Sequence, residues 1–556
     1  MAGTGTDIRS LSHDEVTGRI REAWADLLGR EDIGPDDDFF SLGGQSLAAV
    51  RAVGLLADRL GVALPLQSVY EAPTPRALAE RVCDPAYATL CGPVQAADGT
   101  AAAPLSWQQE WQYRIEQLVA GSNIYVSFVR FDLLGRLDAG AFAGALLGLV
   151  RRHDLLRTVY EDGPRGITQH VRPHAGVELA EHDLTDLADA PAAERLQALA
   201  RTFSRRGYDL AADLGLRVML AHLPGGRANV IIAVHHINFD GWSRDVLLDD
   251  FAALYRAALT AGPDPAGDAP PAASRISYAD FARWQRGRFG ATEVAGHLGF
   301  WRDAVRGGTP RPPAPQRPDG AAGSPAEPTF MSRRQGVAIG RDDSGRFAAL
   351  AGAAATTPFI SCVAAFGVVL ADWLGCERLP VATITANRTW AATNDVVGMF
   401  CTVVPVVVDV SGEPTFHEVL ARCRTAGITA MAHQEYPFEH VCLAMGGEVM
   451  RELSEGMRYG IALHPAVGAD RPLGDELVLV QRRPELLGQD EGEVNPSTFD
   501  LTLELRESAD GLSGHLAYQT DTVDAAAARA LADRFAEVVR RVGEDPHVPV
   551  ARLLRG

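Results

Sequence analysis

The amino-acid sequence predicts a multidomain protein, in which a small all-α unit precedes a larger α/β region of two lobes. The chain has 556 residues, enough for about three or four compact units that each bury a core. Residues 7–84 contain only helical patterns, whereas strand-like and helical patterns alternate from Leu105 onward. The second region, of about 450 residues, is too long for one hydrophobic core, and we therefore expect two lobes.

The small unit shows the signals of helix starts at three places. Ser12 is suited to cap a first helix, because its hydroxyl can accept a hydrogen bond from a free backbone amide. A second helix is expected to begin at about Ser46. Thr74 followed by Pro75 predicts the cap and first residue of the last helix. The buried face of the first helix is expected to contain Val16, Ile20, Trp24, Leu27 and Leu28.

The rest of the chain divides into a linker and two lobes. Residues 85–103 are rich in Ala, Gly and Pro, which is typical of an interdomain linker. We place the first lobe at 104–268 and the second at 269–556, with the crossing in the Pro-rich stretch 262–273. Strands are expected at 124–133, 230–234, 403–410 and 477–480. Amphipathic helices are expected at 138–153, 193–204, 244–259, 414–433 and 523–542.

Composition excludes several classes of function. The net charge of −19 argues against binding to nucleic acid or to an anionic membrane surface, since both need a basic patch. All 52 basic residues are arginine, so a P-loop lysine and a Schiff-base lysine are excluded. The seven cysteines are odd in number and lack CxxC spacing, which indicates reduced thiols in a cytoplasmic protein.

The segment from His235 to Gly241 carries the strongest sign of catalysis. It follows the apolar run 230–234, which predicts a buried strand. Successive side chains of a strand point to opposite faces, so we expect one of His235 and His236 to face a substrate and the other to pack inward. Asp240 and Gly241 would follow in the loop that leaves the strand, where a glycine can adopt a positive φ and turn the chain back. A metal site is disfavoured, because adjacent strand histidines diverge and lack the i, i+4 helical spacing of zinc hydrolases.

Ser46 is the second candidate site residue. It follows Gly43 and Gly44 at the expected start of a helix, where its hydroxyl could simply cap the helix. The alternative is that the hydroxyl is exposed and modified. The backbone amides at a helix start would then favour an attached phosphate.

The sequence around Ser46 resembles the attachment motif of peptidyl carrier domains from nonribosomal peptide synthetases. The resemblance rests on Asp38-Phe39-Phe40-Ser41-Leu42-Gly43-Gly44-Gln45-Ser46-Leu47. It implies a four-helix bundle and a 4′-phosphopantetheine arm attached covalently to Ser46, installed by a separate phosphopantetheinyl transferase.

The larger region resembles a condensation domain of the same synthetases. The resemblance rests on seven motifs in the family's order: 105–111, 151–158, 235–241, 278–284, 398–405, 433–439 and 499–501. In one of them, Thr402-Val403 stands where the family usually has Asn-Thr. The resemblance implies two lobes like those of chloramphenicol acetyltransferase, with the active site in a tunnel where they meet.

The same resemblance implies peptide-bond formation and a role for each motif residue. The amine of an acceptor aminoacyl thioester on a second carrier domain would attack the donor thioester held at Ser46. His236 is the expected catalytic residue, and His235 is expected to be scaffolding. Asp240 would pair with Arg157 or Arg388 and hold the loop, and the Gly241 amide would help to stabilise the oxyanion. Neighbouring synthetase domains, including an adenylation domain, are the other implied partners.

Several alternatives stay open or fit less well. An ester-forming condensation domain differs only in its acceptor, and a non-catalytic docking platform would hold a carrier for another enzyme. Epimerisation domains are expected to show Asp-Gly-x-Ser-Trp, whereas here Trp242 precedes Ser243. Heterocyclisation domains replace the first histidines with aspartate, and recruitment domains lose the second histidine.

Overall fold

A computed structural model of the chain gives the architecture of most of its length. The residues it describes are 11–30, 32–42, 44, 46–60, 64, 68–69, 72–83, 102–118, 123, 125–164, 166–173, 176–261, 276–288, 291–305, 331–444, 457–464, 470–474, 476–482, 495–496, 499–508 and 510–554.

The small unit is helical, as predicted. Ser12 caps the first helix in a capping box with Glu15, and the Thr74 hydroxyl accepts a hydrogen bond from the Ala77 amide (3.2 Å) at the start of the last. Trp24 and Phe39 pack in its core with ring centroids 4.7 Å apart. A further helical turn includes Ser68 and Val69, and the rest of the predicted fourth helix lies outside the described residues. The helices are α1 (His13–Leu28), α2 (Ser46–Leu60) and α3 (Pro75–Cys83).

The first lobe is built on a six-stranded mixed sheet covered by helices. Its strands, in spatial order, are β12 (Arg471–Pro472), β13 (Leu477–Arg482), β2 (Val126–Gly135), β7 (Arg227–His235), β6 (Arg217–Leu223) and β5 (Glu178–Asp183). The helices of this region are α4 (Trp107–Leu118), α5 (Ala139–Arg152), α6 (Asp189–Ser204) and α7 (Gly241–Ala261). A separate small sheet contains β1 (Ala103–Pro104), β4 (Gly166–Val171) and β3 (Thr158–Gly163).

The second lobe is built on a seven-stranded mixed sheet. Its strands, in spatial order, are β10 (Thr402–Asp409), β9 (Arg378–Thr385), β11 (Tyr459–His464), β15 (Leu501–Ser508), β16 (Gly511–Gln519), β8 (Met331–Gly340) and β14 (Asn495–Pro496). The helices after residue 277 are α8 (Tyr278–Arg288), α9 (Ala291–Val305), α10 (Arg341–Ala353), α11 (Pro358–Leu374), α12 (Phe416–Ala432), α13 (Phe438–Ala444), α14 (Ala525–Glu544) and α15 (Val550–Leu553).

One helix pair has the length and apolarity of a membrane span only when its two members are taken together. Helices α10 and α11 meet at an angle of 106°, and no single described helix passes the same test. Residues 360–371 of α11 are buried in the core of the second lobe. This burial explains their continuous apolar sequence.

The β12–β13 hairpin corrects the predicted boundary between the lobes. Residues 471–482 lie in the range predicted for the second lobe, yet β13 pairs antiparallel with β2 of the first sheet. Leu477 and Leu479 are buried in the first-lobe core, which fixes the strand there. Because alternation identifies a strand but not its partner, the sequence could not assign this hairpin to a sheet. The chain therefore returns from the second lobe to the first lobe at this hairpin.

Candidate functional site

Strand β7 places the two histidines in different surroundings. The strand ends at His235, and a single 3₁₀ turn, 236–238, connects it to the start of α7 at Gly241. His235 is buried, with Nε2 3.3 Å from a Glu116 carboxylate oxygen and Nδ1 accepting a hydrogen bond from the Ile237 amide (3.2 Å). His236 is partly exposed, and its backbone amide donates to the Tyr125 carbonyl (2.7 Å).

His236 is held in its neutral form. Burial of the ring lowers the pKa of His236 below its ordinary value of 6.5, because a charged imidazolium would lose hydration. A contact of the ring with its own backbone and, less strongly, the negative charge of Asp240 oppose this shift. Nδ1 of His236 is buried without a hydrogen-bond partner among the described residues. The ring is therefore a neutral imidazole, able to accept a proton.

Asp240 forms a buried ion pair with Arg388. The Arg388 guanidinium lies 3.0 and 3.3 Å from the two carboxylate oxygens, and both side chains are at most 2% exposed. Arg388 also donates to the Val396 carbonyl (2.7 Å). Of the two arginines predicted as partners, Arg388 is thus the one that binds Asp240.

Arg157 does not contact the motif, and the expectation that it supports Asp240 is wrong. It ends a 3₁₀ turn, 154–157, and pairs with Asp154 three residues earlier. It also donates to the Arg172 carbonyl at 2.6 Å. Arg157 can pair with Asp154 without any contact between distant segments, because side chains at i and i+3 of a 3₁₀ turn lie on the same side.

The Asp240 carboxylate joins the two lobes. It accepts hydrogen bonds from the Ser243 amide (2.8 Å) in α7 and from the Phe400 amide (3.1 Å) in the second lobe. The Ser243 hydroxyl donates to the Gly398 carbonyl (3.0 Å) and accepts from the Gly398 amide (3.0 Å). The start of α7, two residues after the histidine turn, is thereby fastened to the loop that precedes β10.

Gly398 is required by close packing in this loop. A Cβ added there would lie 2.1 Å from the ring of Tyr278. The Tyr278 hydroxyl in turn donates to the Met399 carbonyl (2.5 Å) and lies 2.8 Å from the Ser106 hydroxyl. The motifs around residues 106, 278 and 398 therefore form one contact across the lobes.

Gly241 does not use the conformational freedom predicted for it. Its φ is not positive, and it is the first residue of α7. A Cβ added there would have no atom within 4 Å. The turn is made instead by the 3₁₀ residues 236–238, and Gly241 leaves open space at the amino end of a 21-residue helix.

Thr402 and Val403 are held by a buried glutamate. The Thr402 hydroxyl donates to one Glu439 oxygen (2.5 Å), and the Val403 amide donates to the other (2.9 Å). Burial raises the pKa of Glu439, and the two hydrogen bonds oppose that shift. Thr402 and Val403, which stand in place of the expected Asn-Thr, thus begin β10 and hold it against Glu439.

Ser46 is the first residue of the 15-residue helix α2, as predicted. The turn before it is fixed by the Asp38 carboxylate, which accepts hydrogen bonds from the Phe40 and Ser41 amides (2.9 and 2.8 Å). A Cβ at Gly44 would lie 2.3 Å from the Phe39 ring, so only glycine allows this approach. A phosphate attached at Ser46 would lie at the positive end of α2, which fits a phosphopantetheine arm.

The helix that begins at Ser46 contacts both lobes beside the histidine motif. The Arg51 guanidinium lies 4.2 Å from the centre of the Trp242 ring, and Arg388 lies 5.8 Å from the same ring. A Cβ at Gly54 would lie 2.1 Å from the Thr389 carbonyl oxygen. These interface residues were missed by sequence reasoning, because neither Arg51 nor Gly54 belongs to a motif.

Two family models match the chain. The phosphopantetheine attachment site matches residues 18–82, and the condensation domain matches residues 100–554.

Curated relatives match over nearly the whole chain. Phosphinothricin tripeptide synthetase PhsB from Streptomyces viridochromogenes is 33% identical over 563 residues, covering 97% of this chain and 44% of the relative. A dimodular nonribosomal peptide synthase from Bacillus subtilis is 29% identical over 543 residues, covering 96% of this chain and 22% of the relative. The chain therefore spans less than half the length of either relative.

Solved structures show the same fold. The X-domain from teicoplanin biosynthesis superimposes with a TM-score of 0.68 at 24% identity, covering 83% of this chain and 99% of that one. The first condensation domain of the calcium-dependent antibiotic synthetase gives a TM-score of 0.63 at 19% identity, covering 82% and 98%. The two-lobed architecture is shared at these low identities.

Proposed function

The chain belongs to the condensation-domain family of nonribosomal peptide synthetases, with a carrier domain at its amino-terminal side, and from this premise we propose that it forms amide bonds. The donor would be an acyl thioester at Ser46, and the acceptor would be the amine of an aminoacyl thioester on a second carrier domain. The observation that carries the proposal is a neutral, partly exposed His236 beside a carrier helix docked on Trp242.

The phosphopantetheine arm, when bound at Ser46, supplies the thiol that holds the acyl group as a reactive thioester. The chain's own residues do the rest. His236 accepts a proton from the attacking amine, or holds that amine in line by a hydrogen bond. Either contribution typically accelerates a reaction by about 10²–10⁴-fold.

His236 depends on groups that do not themselves react. His235 fixes the strand end through Glu116 and the Ile237 amide. The Asp240–Arg388 pair fixes the start of α7 against the second lobe. The Gly241 amide at that helix start is suited to stabilise negative charge that develops on the donor carbonyl oxygen.

The proposal implies partners and a compartment. A second carrier domain, an adenylation domain and a phosphopantetheinyl transferase would supply the acceptor and the modified Ser46. We place the reaction in the cytoplasm, since the six cysteines among the described residues are free thiols.

The type of bond formed tests the function against its ester-forming alternative. Ser46 would be loaded with a donor acyl thioester, and the chain offered matched acceptors with an amino or a hydroxyl group at the same carbon. We expect a product with the amino acceptor that survives mild alkali, as an amide does. Product from the hydroxyl acceptor alone would favour ester formation, and product from neither would favour a docking platform.

The pH dependence of transfer should report the lowered pKa of His236. The neutral ring is the active form, so activity that depends on His236 is present above its pKa and is lost as pH falls through it. We expect the ratio of wild-type to His236→Ala rates to stay constant from about pH 8 to about pH 6.5 and to fall below. Using the ratio removes the titration of the acceptor amine, which affects both proteins. A ratio that falls between about pH 8 and pH 7 would contradict a lowered pKa.

Docking of the carrier helix should depend on Gly54. In Gly54→Ala the new Cβ would clash with the Thr389 carbonyl, and overpacking of this kind costs ~1–3 kcal/mol, or roughly 5- to 150-fold in docking. Transfer from Ser46 of the same chain should slow accordingly in a single-turnover assay. Gly18→Ala in α1 is the matched control, because a Cβ there has no atom within 4 Å. Equal rates for the two variants would show that this interface is not used in transfer.

A further inference from the structure

The first lobe contains a cavity of about 480 Å³ beside His235. Tyr113, Glu116 and Gln117 of α4 line one side, and the loop 207–211 lines the other. The Tyr208 ring in this loop meets the His235 ring edge-on at 5.9 Å, and its hydroxyl donates to the Ala233 carbonyl (2.7 Å) in β7. The cavity therefore abuts the strand that ends next to His236, but it lies outside the Asp240–Arg388 network.

Glu116 brings a carboxyl group with incomplete hydrogen bonding to this cavity. It is 3% exposed, and one carboxylate oxygen accepts from His235 while the other is buried without a hydrogen-bond partner among the described residues. Because Nδ1 of His235 accepts from the Ile237 amide, Nε2 carries the ring proton that is donated to Glu116. A buried carboxyl group with one unpaired oxygen lacks the second donor that would offset its loss of hydration.

The surroundings of the cavity add negative charge. Burial raises the pKa of the Tyr113 hydroxyl, and the charges of Asp162 and Asp209 raise it further. Asp209 itself lines the cavity. Arg217 stacks on the Tyr208 ring at 3.8 Å, but its terminal nitrogens donate to the Gly207 and Arg206 carbonyls, so its hydrogen bonds are directed at the chain.

We propose that this cavity binds the cationic end of a substrate side chain, an ammonium or a guanidinium, with Glu116 as its principal partner. Such a group would lie beside Glu116 and Asp209, which both line the cavity, and among the tyrosine rings, which also attract cations. The volume is in the range of pockets that hold small ligands. The assignment of the cation to a substrate rests on the proposed function, whereas the binding of a cation does not.

Binding can be measured without any turnover. We would titrate the full chain with n-butylguanidinium and with the neutral isostere n-butylurea by calorimetry. Saturable binding of the guanidinium, about 10- to 100-fold tighter than that of the urea, is expected from a charge-assisted hydrogen bond. Equal binding of the two probes, or no binding of either, would overturn the proposal. A water molecule would then be a sufficient hydrogen-bond donor for Glu116, and no cation would be needed.

Two variants test the cavity independently. Glu116→Gln should weaken guanidinium binding about 10-fold or more while keeping an acceptor for His235. Ala211→Phe should abolish binding by filling the cavity without altering Glu116. Glu161→Gln, at an exposed residue of β3, is the matched control and should bind as the wild type does. Unchanged binding in both cavity variants would overturn the proposal even if one of them folded poorly.

A turnover measurement then connects the cavity to the substrate. Donors and acceptors that carry arginine would be compared with the same molecules carrying the neutral isostere citrulline. We expect a preference of about 10-fold for arginine at one of the two positions, lost in Glu116→Gln. No transfer with any substrate would count against amide formation while leaving the probe titration valid, and transfer without a preference would remove the substrate assignment.

Discussion

Replacing His236 with alanine should slow single-turnover transfer by about 10²–10⁴-fold, the usual contribution of a positioned acid–base group. The ring is neutral, partly exposed and in the turn directly after β7, so its loss removes the group that would meet the amine. The rate would be followed by intact-protein mass spectrometry after loading Ser46. The thermal unfolding temperature should change little, since the unpartnered Nδ1 gives the ring no hydrogen bond to lose there.

His222→Ala provides the matched control. His222 is in the neighbouring strand β6, pairs with Glu181 at 2.7 Å and lies away from the histidine motif. Its replacement should leave the transfer rate within about twofold, because a surface pair of this kind contributes only ~0–1 kcal/mol to stability. A His236→Ala rate within about threefold of the control would remove His236 from the reaction.

Replacing Arg388 with methionine should destabilise the protein by ~3–5 kcal/mol, because Asp240 would remain buried with its charge unpaired. The contact between α7 and the loop at Gly398 and Phe400 would weaken at the same time, so transfer should slow as well. Denaturant unfolding followed by tryptophan fluorescence would measure the loss. The double variant Arg388→Met/Asp240→Leu should recover part of it, since no buried charge remains.

Arg157→Met is the control for Arg388→Met, because it removes an arginine from another predicted motif that does not bind Asp240. Its partner Asp154 is 39% exposed, and exposed pairs contribute ~0–1 kcal/mol. We therefore expect a small change in the free energy of unfolding. Equal destabilisation by Arg157→Met and Arg388→Met would contradict the assignment of Arg388 as the partner of Asp240.

The order of elements and the histidine motif followed from local pattern. Alternation and apolar runs predicted β2, β7, β10 and β13. A strand buried on one face alternates apolar and polar residues, and a strand buried on both faces is a continuous apolar run. The different surroundings of His235 and His236 have another cause than the predicted strand alternation, because the strand ends at His235 and His236 begins the 3₁₀ turn.

Contacts between distant segments could not be obtained in this way. Arg157 and Arg388 were equal candidates for Asp240 until the loop before β10 was seen to lie against α7. Glu116, 119 residues before His235, has no local signal of its role, because an acidic residue on a helix is ordinarily a solvated one. The hairpin 471–482 was assigned to the other lobe for the same reason.

The sequence identified Gly241 as a residue of the site but did not predict why a glycine is needed there. A glycine before a helix was expected to turn the chain, yet the 3₁₀ turn does so. Glycine at this position leaves the amino end of α7 without a side chain.

The measurement that tests amide formation most directly is the mass of the chain before and after one turnover. Ser46 would be loaded with a donor acyl group and the protein mixed with an aminoacyl-loaded acceptor carrier. We expect the acyl mass to leave this chain and to appear on the acceptor, with little movement in His236→Ala. Loading at Ser46 with no transfer to any amine acceptor would contradict the proposed function, and failure to load would contradict the role of Ser46.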